Sequence, residues 1–190
     1  MAQPGDQITH PDTRERLTFL KTSDQTGSEH VRVLLDVEPG GINAPAQIYP
    51  RIGKQVEIVR GAWALELNGA ERRLGAGDCL LINAGQPHRY WNAGDAAGQA
   101  VIVYRPALAI EQYLETIFGL AQDGLTDPDT GLPAQPWLAL MLTGCLAEIA
   151  YPAEPGFADL RETLRPIADE ARRQGLCIPC PYPYPYQQQK

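Results

Sequence analysis

Three polar side chains in the middle of the chain, Tyr49, Lys54 and His88, could together do acid/base chemistry on a small molecule. The His88 imidazole exchanges protons near neutral pH, so it is a candidate general acid or base. The Tyr49 hydroxyl can donate a hydrogen bond to a carbonyl or enolate oxygen. The Lys54 amine can pair with a carboxylate or stabilise an oxyanion, and burial would lower its pKa. The set suits isomerisation, cyclisation or elimination of a carbonyl compound, and it suits binding such a compound equally well.

The region that must position these side chains, residues 16–106, is a series of short β-type runs separated by Gly-rich turns. The strongest turn is Asn68-Gly69, which lies between AWALEL and AERRL and indicates a tight hairpin. Many short strands with such turns predict an antiparallel sandwich or barrel.

The rest of the chain divides into three further segments. Residues 1–15 are polar and predict a flexible N-terminal arm. Residues 107–176 carry apolar residues at helical spacing and predict a helical extension, including a largely buried helix over 137–151. Residues 177–190 form a Pro/Tyr-rich tail. Amphipathic helices cannot hide all their apolar faces alone, so we expect the extension to pack on the barrel or at the interface of a homodimer.

The turn pattern has a known counterpart. The segment from Gly77 to Asn92, GDCLLINAGQPHRYWN, resembles the second cupin motif, G-x5-P-x-G-x2-H-x3-N, with Asn83 in place of the proline. The resemblance covers about residues 30–105. It implies a mainly β fold: a cupin-type antiparallel double-stranded β-helix, or jelly-roll barrel, of the RmlC-like kind, here with a C-terminal α-helical extension. Barrels of this size can hold one small ligand.

The first cupin motif, G-x5-H-x-H-x(3,4)-E-x6-G, keeps its glycine frame but not its metal ligands. Counted from Gly41, its two histidine positions fall on Gln47 and Tyr49, and its glutamate position falls on Lys54. In metal-binding cupins these three positions and the histidine that matches His88 hold one ion. Amide and phenol oxygens are poor ligands for Fe, Mn, Ni, Cu or Zn, and an ammonium group has no lone pair. We therefore expect a degenerate metal site, with no cofactor in the cavity.

The candidate ligand-binding residues around the three catalytic candidates are Gln47, Glu57, Trp63 and Tyr90. Glu57 would face inward if a bulge precedes it. In the alternative structural interpretation, His88 only hydrogen bonds within the barrel wall, Tyr49 fills space and Lys54 is a solvated turn residue.

Three functions remain open at this point. The leading hypothesis is a metal-independent small-molecule site, either an acid/base enzyme of the isomerase or cyclase class or a ligand-binding protein. The second is a metal-dependent cupin oxygenase or isomerase with atypical ligands, holding a divalent metal through His88. The third is a non-catalytic structural cupin.

The charge balance argues against two classes of partner. The formal net charge is -7, from 16 basic and 23 acidic residues, whereas nucleic-acid and anionic-membrane surfaces need clustered Lys and Arg. The expected partners are therefore a small molecule and a second copy of the chain. The first residues contain no apolar run typical of a signal peptide, so we expect a cytoplasmic protein. The lone CIPC sequence, Cys177 to Cys180, is weak evidence for a metal or redox role.

Overall fold

The computed structural model describes residues 2–41, 44–134, 148–154 and 156–173. The strands in these residues are β1 (Gln7–His10), β2 (Glu15–Lys21), β3 (Val31–Val37), β4 (Gln47–Ile48), β5 (Gly53–Arg60), β6 (Trp63–Leu67), β7 (Ala70–Leu74), β8 (Cys79–Ile82), β9 (His88–Asn92), β10 (Gly98–Arg105) and β11 (Tyr151–Pro152). The α-helices are α1 (Ile110–Gln122) and α2 (Phe157–Arg173).

The strands form two antiparallel sheets, as the fold prediction required. The larger sheet has the order β1-β2-β3-β10-β5-β8, and the smaller has the order β11-β4-β9-β6-β7. Some neighbours in the sheets, such as β3 and β10 or β4 and β9, are distant in the chain, so each sheet joins segments that no local pattern connects. The mainly β, two-sheet fold with helices after the barrel is confirmed.

Strand alternation decides which side chains face the interior. In β5, Lys54, Val56 and Ile58 are buried, whereas Gln55 and Glu57 point to the outer surface. Side chains of the two inner faces form one continuous core. Each fully buried Val, Leu, Ile or Phe in it contributes roughly 1.5–3 kcal/mol relative to exposure.

The motif glycines serve the backbone. Gly61 has φ of 88°, and a Cβ atom there would lie 2.7 Å from the Cα of Gly98. The predicted hairpin turn is also present: Asn68 and Gly69 have φ of 51° and 79°, and Leu67 pairs with Ala70. Two positive φ values are what a two-residue hairpin turn of the tightest type requires.

The expected flexible arm over residues 1–15 is wrong for its second half. Gln7–His10 form β1 and pair with β2, where Ile8 lies opposite Leu17. Ile8 is fully buried and His10 is 3% exposed. The run QITH is too short to show a period of two by itself, and sheet pairing rather than local sequence makes it a strand.

Helix α1 closes one end of the space between the sheets. Its residues Tyr113, Leu114 and Phe118 belong to the core, and α1 packs against β1. The Gln122 side-chain amide donates hydrogen bonds to the Thr9 carbonyl oxygen at 3.1 Å and to its hydroxyl oxygen at 2.8 Å. This part of the extension therefore completes the barrel.

Only some of the other elements predicted after the barrel lie within the described residues. Helix α2 occupies the third apolar stripe and contains Pro166. The helix expected over 137–151 falls mostly outside the described residues, and Tyr151 instead begins β11, which pairs with β4. The 177–190 tail and its CIPC sequence also lie outside the described residues. Among the helices that are described, none is long and apolar enough to cross a bilayer.

Candidate functional site

The candidate site is a cavity between the inner faces of the two sheets, beneath helix α1. Its volume is about 100 Å³. Apolar lining comes from Leu17, Leu35, Ile102, Leu114 and Phe118. The polar and aromatic lining residues are His10, Thr13, Glu15, Gln47, Tyr49, Lys54, His88, Arg89, Tyr90, Tyr104 and Tyr113. A small space with many polar groups is suited to one compact polar molecule.

Lys54 reaches the cavity from the centre of the larger sheet. It lies on β5 opposite Tyr104 of β10 and Ile82 of β8, and it is only 4% exposed. Its Nζ atom lies 3.6 Å from the centroid of the Tyr49 ring, and 5.2 Å and 5.5 Å from those of Tyr104 and Tyr90. Burial lowers the pKa of Lys54 well below its usual range, and the Glu15 carboxylate opposes this shift only in part. Lys54 is thus a buried amine, and the solvated-turn alternative is wrong.

His88 presents a hydrogen-bond acceptor to the cavity. It begins β9 and pairs directly with Gln47 of β4. Its Nδ1 atom lies 2.8 Å from the carbonyl oxygen of Gln86. Because a carbonyl oxygen only accepts, Nδ1 carries the proton and Nε2 keeps a lone pair. Nε2 is buried and has no hydrogen-bond partner among the described residues.

The charge state of His88 differs from the sequence-based expectation. Burial, followed by the positive charge of Lys54, lowers the pKa of His88 to about 3, and the Gln86 carbonyl opposes the shift. The imidazole is therefore neutral at pH 7, so it has no proton on Nε2 to donate as a general acid. Its position favours accepting a hydrogen bond from a hydroxyl or N–H group of a ligand.

Tyr49 and Gln47 form a polar pair on the smaller sheet. The Tyr49 hydroxyl donates a hydrogen bond to Oε1 of Gln47 at 2.9 Å. Burial, with smaller contributions from Tyr113, Tyr104, Tyr90 and Glu15, raises the pKa of Tyr49 well above its usual range. The ring therefore stays a neutral phenol that supports Lys54 with its face and holds Gln47 with its hydroxyl.

Glu15 is a cavity residue that the sequence interpretation missed. It begins β2, and although the residue is partly exposed, its carboxyl group lies inside the protein and lines the cavity. The Thr13 hydroxyl donates a hydrogen bond to its Oε2 at 2.8 Å. Burial raises the pKa of Glu15, whereas His10, Thr13 and Lys54 act in the opposite direction. The sequence did indicate that Glu15 faces inward, because alternation along β2 places it on the same strand face as the apolar Leu17 and Phe19.

Two of the predicted ligand-binding residues do not line the cavity. Glu57 is exposed on the outer face of β5, opposite Cys79 of β8, because no bulge precedes it. Trp63 is buried in the core, and its indole N–H donates a hydrogen bond to the Arg60 carbonyl oxygen at 3.0 Å. Gln47 and Tyr90 do line the cavity, as do Tyr49, Lys54 and His88.

The donor set at the four motif positions does not fit a divalent metal. Nε2 of His88 is the one strong ligand among them, and the Lys54 amine lies beside it in the same cavity. The Tyr49 phenol is held neutral. Within the described ranges, no group of three His, Cys, Asp or Glu side chains is arranged to hold an ion. A protein site for these metals usually needs three or four such ligands.

The fold and the cavity define a small-molecule-binding domain of the cupin type. Residues 57–164 match the model of the AraC-like ligand binding domain family, and this match covers more than half of the chain. The chain belongs to this family. A search of curated proteins found no match.

Several solved structures resemble the chain at low identity. One is a sugar phosphate isomerase from a cupin superfamily of Silicibacter pomeroyi, with 24% identity and a TM-score of 0.44, covering 50% of this chain and 60% of that protein. KdgF from a Halomonas species has 19% identity, coverage of 49% and 79%, and a TM-score of 0.43. The polyketide cyclase RemF from Streptomyces resistomycificus has 18% identity, coverage of 55% and 70%, and a TM-score of 0.44. At these identities the likeness concerns the fold alone.

Proposed function

We propose that the cavity binds a small carbonyl-containing metabolite without a metal and acts on it by acid/base chemistry, as an isomerase or cyclase would. One observation carries the proposal: the carboxyl of Glu15 and the amine of Lys54 line a single small cavity, and burial shifts their pKa values toward each other. Opposite shifts of an acid and a base are the usual means of providing a proton donor and a proton acceptor near neutral pH.

The roles of the cavity residues follow from their protonation states. Lys54 or Glu15 removes a proton beside the carbonyl group, and the other returns it. The His88 Nε2 atom orients the ligand by accepting a hydrogen bond from one of its hydroxyl groups. The acid/base role expected for His88 and Tyr49 thus passes to Lys54 and Glu15, and Tyr49 becomes a supporting residue.

The test is proton exchange in heavy water. The protein is incubated in D2O with hydroxyacetone or glycolaldehyde, and the loss of the signal of the protons next to the carbonyl is followed by proton NMR. We expect exchange above the buffer rate, and a loss of roughly 100-fold or more in Glu15→Gln because general acid/base groups contribute about that much. Glu57→Gln, which removes a carboxylate from the outer face of β5, is the matched control. Equal rates in Glu15→Gln and Glu57→Gln would reject the acid/base assignment.

The same purified protein also tests two alternative functions. Elemental analysis of protein purified without added metal addresses a metal-dependent cupin oxygenase or isomerase: near-stoichiometric Fe, Mn, Ni or Zn would contradict the metal-free proposal. Ligand binding without exchange would favour a non-catalytic binding protein, which the neutral acceptor on His88 and the family match support.

We also propose that the protein works as a homodimer in the cytoplasm. Leu81 of β8 is 69% exposed and Val59 of β5 is 43% exposed, and both strands belong to the larger sheet. Leu160 of α2 is a further exposed apolar side chain. Burial of these side chains against a second copy would remove apolar surface from water.

A further inference from the structure

We propose that Lys54 is a nucleophile that forms an imine with an aldehyde or ketone bound in the cavity. This inference rests on the proposed function, since it concerns the same cavity and names the covalent step that its buried amine allows. The step needs an amine at a fixed place, a cavity beside it that admits the ligand, and an acid that can donate a proton.

The amine is held at a fixed place inside the cavity. Lys54 belongs to β5, which has a hydrogen-bonded neighbour on each side, β10 and β8. Three tyrosine rings surround the Nζ atom. Within the described residues Lys54 forms no ion pair with a carboxylate; it contacts these rings, attracts Glu15 over a longer distance and repels a proton on His88. No carboxylate therefore blocks its approach to a ligand.

A neutral amine is required, because an ammonium group has no lone pair. The ring faces favour the ammonium form by up to about 2 kcal/mol each in a desolvated place. Burial acts in the opposite direction and lowers the pKa of Lys54 well below its usual range. The titratable groups that face the amine are Glu15 on β2, His88 and Tyr90 on β9, Tyr49 beside β4 and Tyr104 on β10. Apart from the ring faces, Glu15 alone among these groups favours the charged amine, and its own pKa is raised, which reduces its negative charge.

The step balances without an oxidant or a reductant. The Lys54 nitrogen attacks the carbonyl carbon, so a C–N bond forms and the carbonyl π pair moves to oxygen, which takes a proton from the Glu15 carboxyl. The carbinolamine nitrogen gives one proton to the Glu15 carboxylate, and Glu15 passes that proton to the hydroxyl group. The C–O bond then breaks, water leaves, and the resulting iminium nitrogen returns its remaining proton to Glu15. One carbonyl compound and one amine give one imine and one water.

The cavity also limits the ligand. A volume of about 100 Å³ suits a molecule of a few heavy atoms rather than a long chain. The unpartnered Nε2 of His88 is an acceptor for a hydroxyl group. Short hydroxyaldehydes and hydroxyketones provide both the carbonyl carbon and that hydroxyl, so they are the ligand class that we infer.

The test is reductive trapping. Full-length protein is incubated with hydroxyacetone and sodium cyanoborohydride at pH 7, followed by intact mass measurement and peptide mapping. The chain has only three lysines, Lys21, Lys54 and Lys190, so an adduct is easily located. We expect Lys54 to be labelled at least about tenfold faster than Lys21, because each unit of lowered pKa gives about tenfold more neutral amine.

Two variants sharpen the result. Lys54→Arg keeps a long basic side chain but lacks the primary amine, and it should abolish the fast adduct; Lys21→Arg, on an exposed strand end, should leave it unchanged. Mapping of the wild-type adduct decides the question even if Lys54→Arg fails to fold. Labelling at Lys54 no faster than at Lys21 overturns the imine. Proton exchange without trapping overturns the imine alone, whereas the absence of both overturns the proposed function as well.

Discussion

At the scale of single residues, the cavity holds two basic side chains whose pKa values are lowered by burial. Lys54 and His88 both have lowered pKa values, for the same first cause, and the charge of Lys54 lowers that of His88 further. A base whose pKa falls on folding binds fewer protons in the folded state than in the unfolded state. Between the pKa of the group in the folded state and its pKa in the unfolded state, the unfolding free energy therefore rises with pH.

Replacement of Lys54 by Met should stabilise the protein at pH 7, because Met has a similar length and no charge to desolvate. The wild type is penalised below the unfolded pKa of lysine, and the penalty shrinks as the pH rises toward 10. The difference in unfolding free energy should therefore decrease by up to about 1.4 kcal/mol per pH unit. Urea denaturation of both proteins between pH 7 and 10 measures it. A constant difference would show that Lys54 keeps an ordinary pKa.

Replacement of His88 by Asn should remove a pH dependence on the acidic side. The Asn amide N–H can still donate to the Gln86 carbonyl oxygen, but it does not titrate. The wild type loses the contribution of His88 as the pH falls from 6.5 toward 3, with a slope of up to about 1.4 kcal/mol per unit. The unfolding free energy, measured by urea denaturation at several pH values between 7 and 4, should therefore change less with pH in His88→Asn than in the wild type. Equal pH dependence in the two proteins would contradict a buried neutral imidazole.

At the scale of elements, the cavity depends on strands that meet only after pairing. The turn residues and the Gly frame were readable from the sequence, because they reflect local backbone conformation. The inward direction of Lys54 depends on where β5 begins, and the arrival of Glu15 depends on β2 pairing with β3. Local sequence patterns do not show where β5 begins or that β2 pairs with β3. The period of two in ERLTFLK shows which face Glu15 occupies, but not that a cavity lies there.

Close packing between β6 and β10 gives the clearest test of this arrangement. A Cβ atom on Gly98 would lie 2.9 Å from the Trp63 ring. Gly98→Ala should therefore destabilise the protein by about 1–3 kcal/mol, since the ring is buried and cannot move freely. Gly75→Ala is the control, because a Cβ atom there meets nothing within 4 Å. The comparison uses urea midpoints, and equal midpoints would mean that the ring has room to shift.

At the scale of the whole molecule, Leu81 of β8 and Val59 of β5 are the exposed apolar side chains of the larger sheet that we assign to the proposed dimer. Leu81→Glu should convert the dimer to a monomer, because a carboxylate would have to be buried without a partner. Leu20→Glu places the same charge on β2, where Leu20 is 37% exposed, and should leave the dimer intact. Light scattering coupled to size exclusion measures the mass of each. A monomeric wild type would reject the dimer itself.

The family match begins at residue 57, and that boundary divides the cavity wall. Glu15, Gln47, Tyr49 and Lys54 come before it, whereas His88 and helix α1 come after it. The matched region of this chain contains His88 and helix α1, whereas the acid and the amine lie in the segment before it. Kinship within this family therefore does not transfer a substrate from one member to another. Chains that carry a carboxylate and a lysine at the positions of Glu15 and Lys54 form the subset in which the same chemistry is expected.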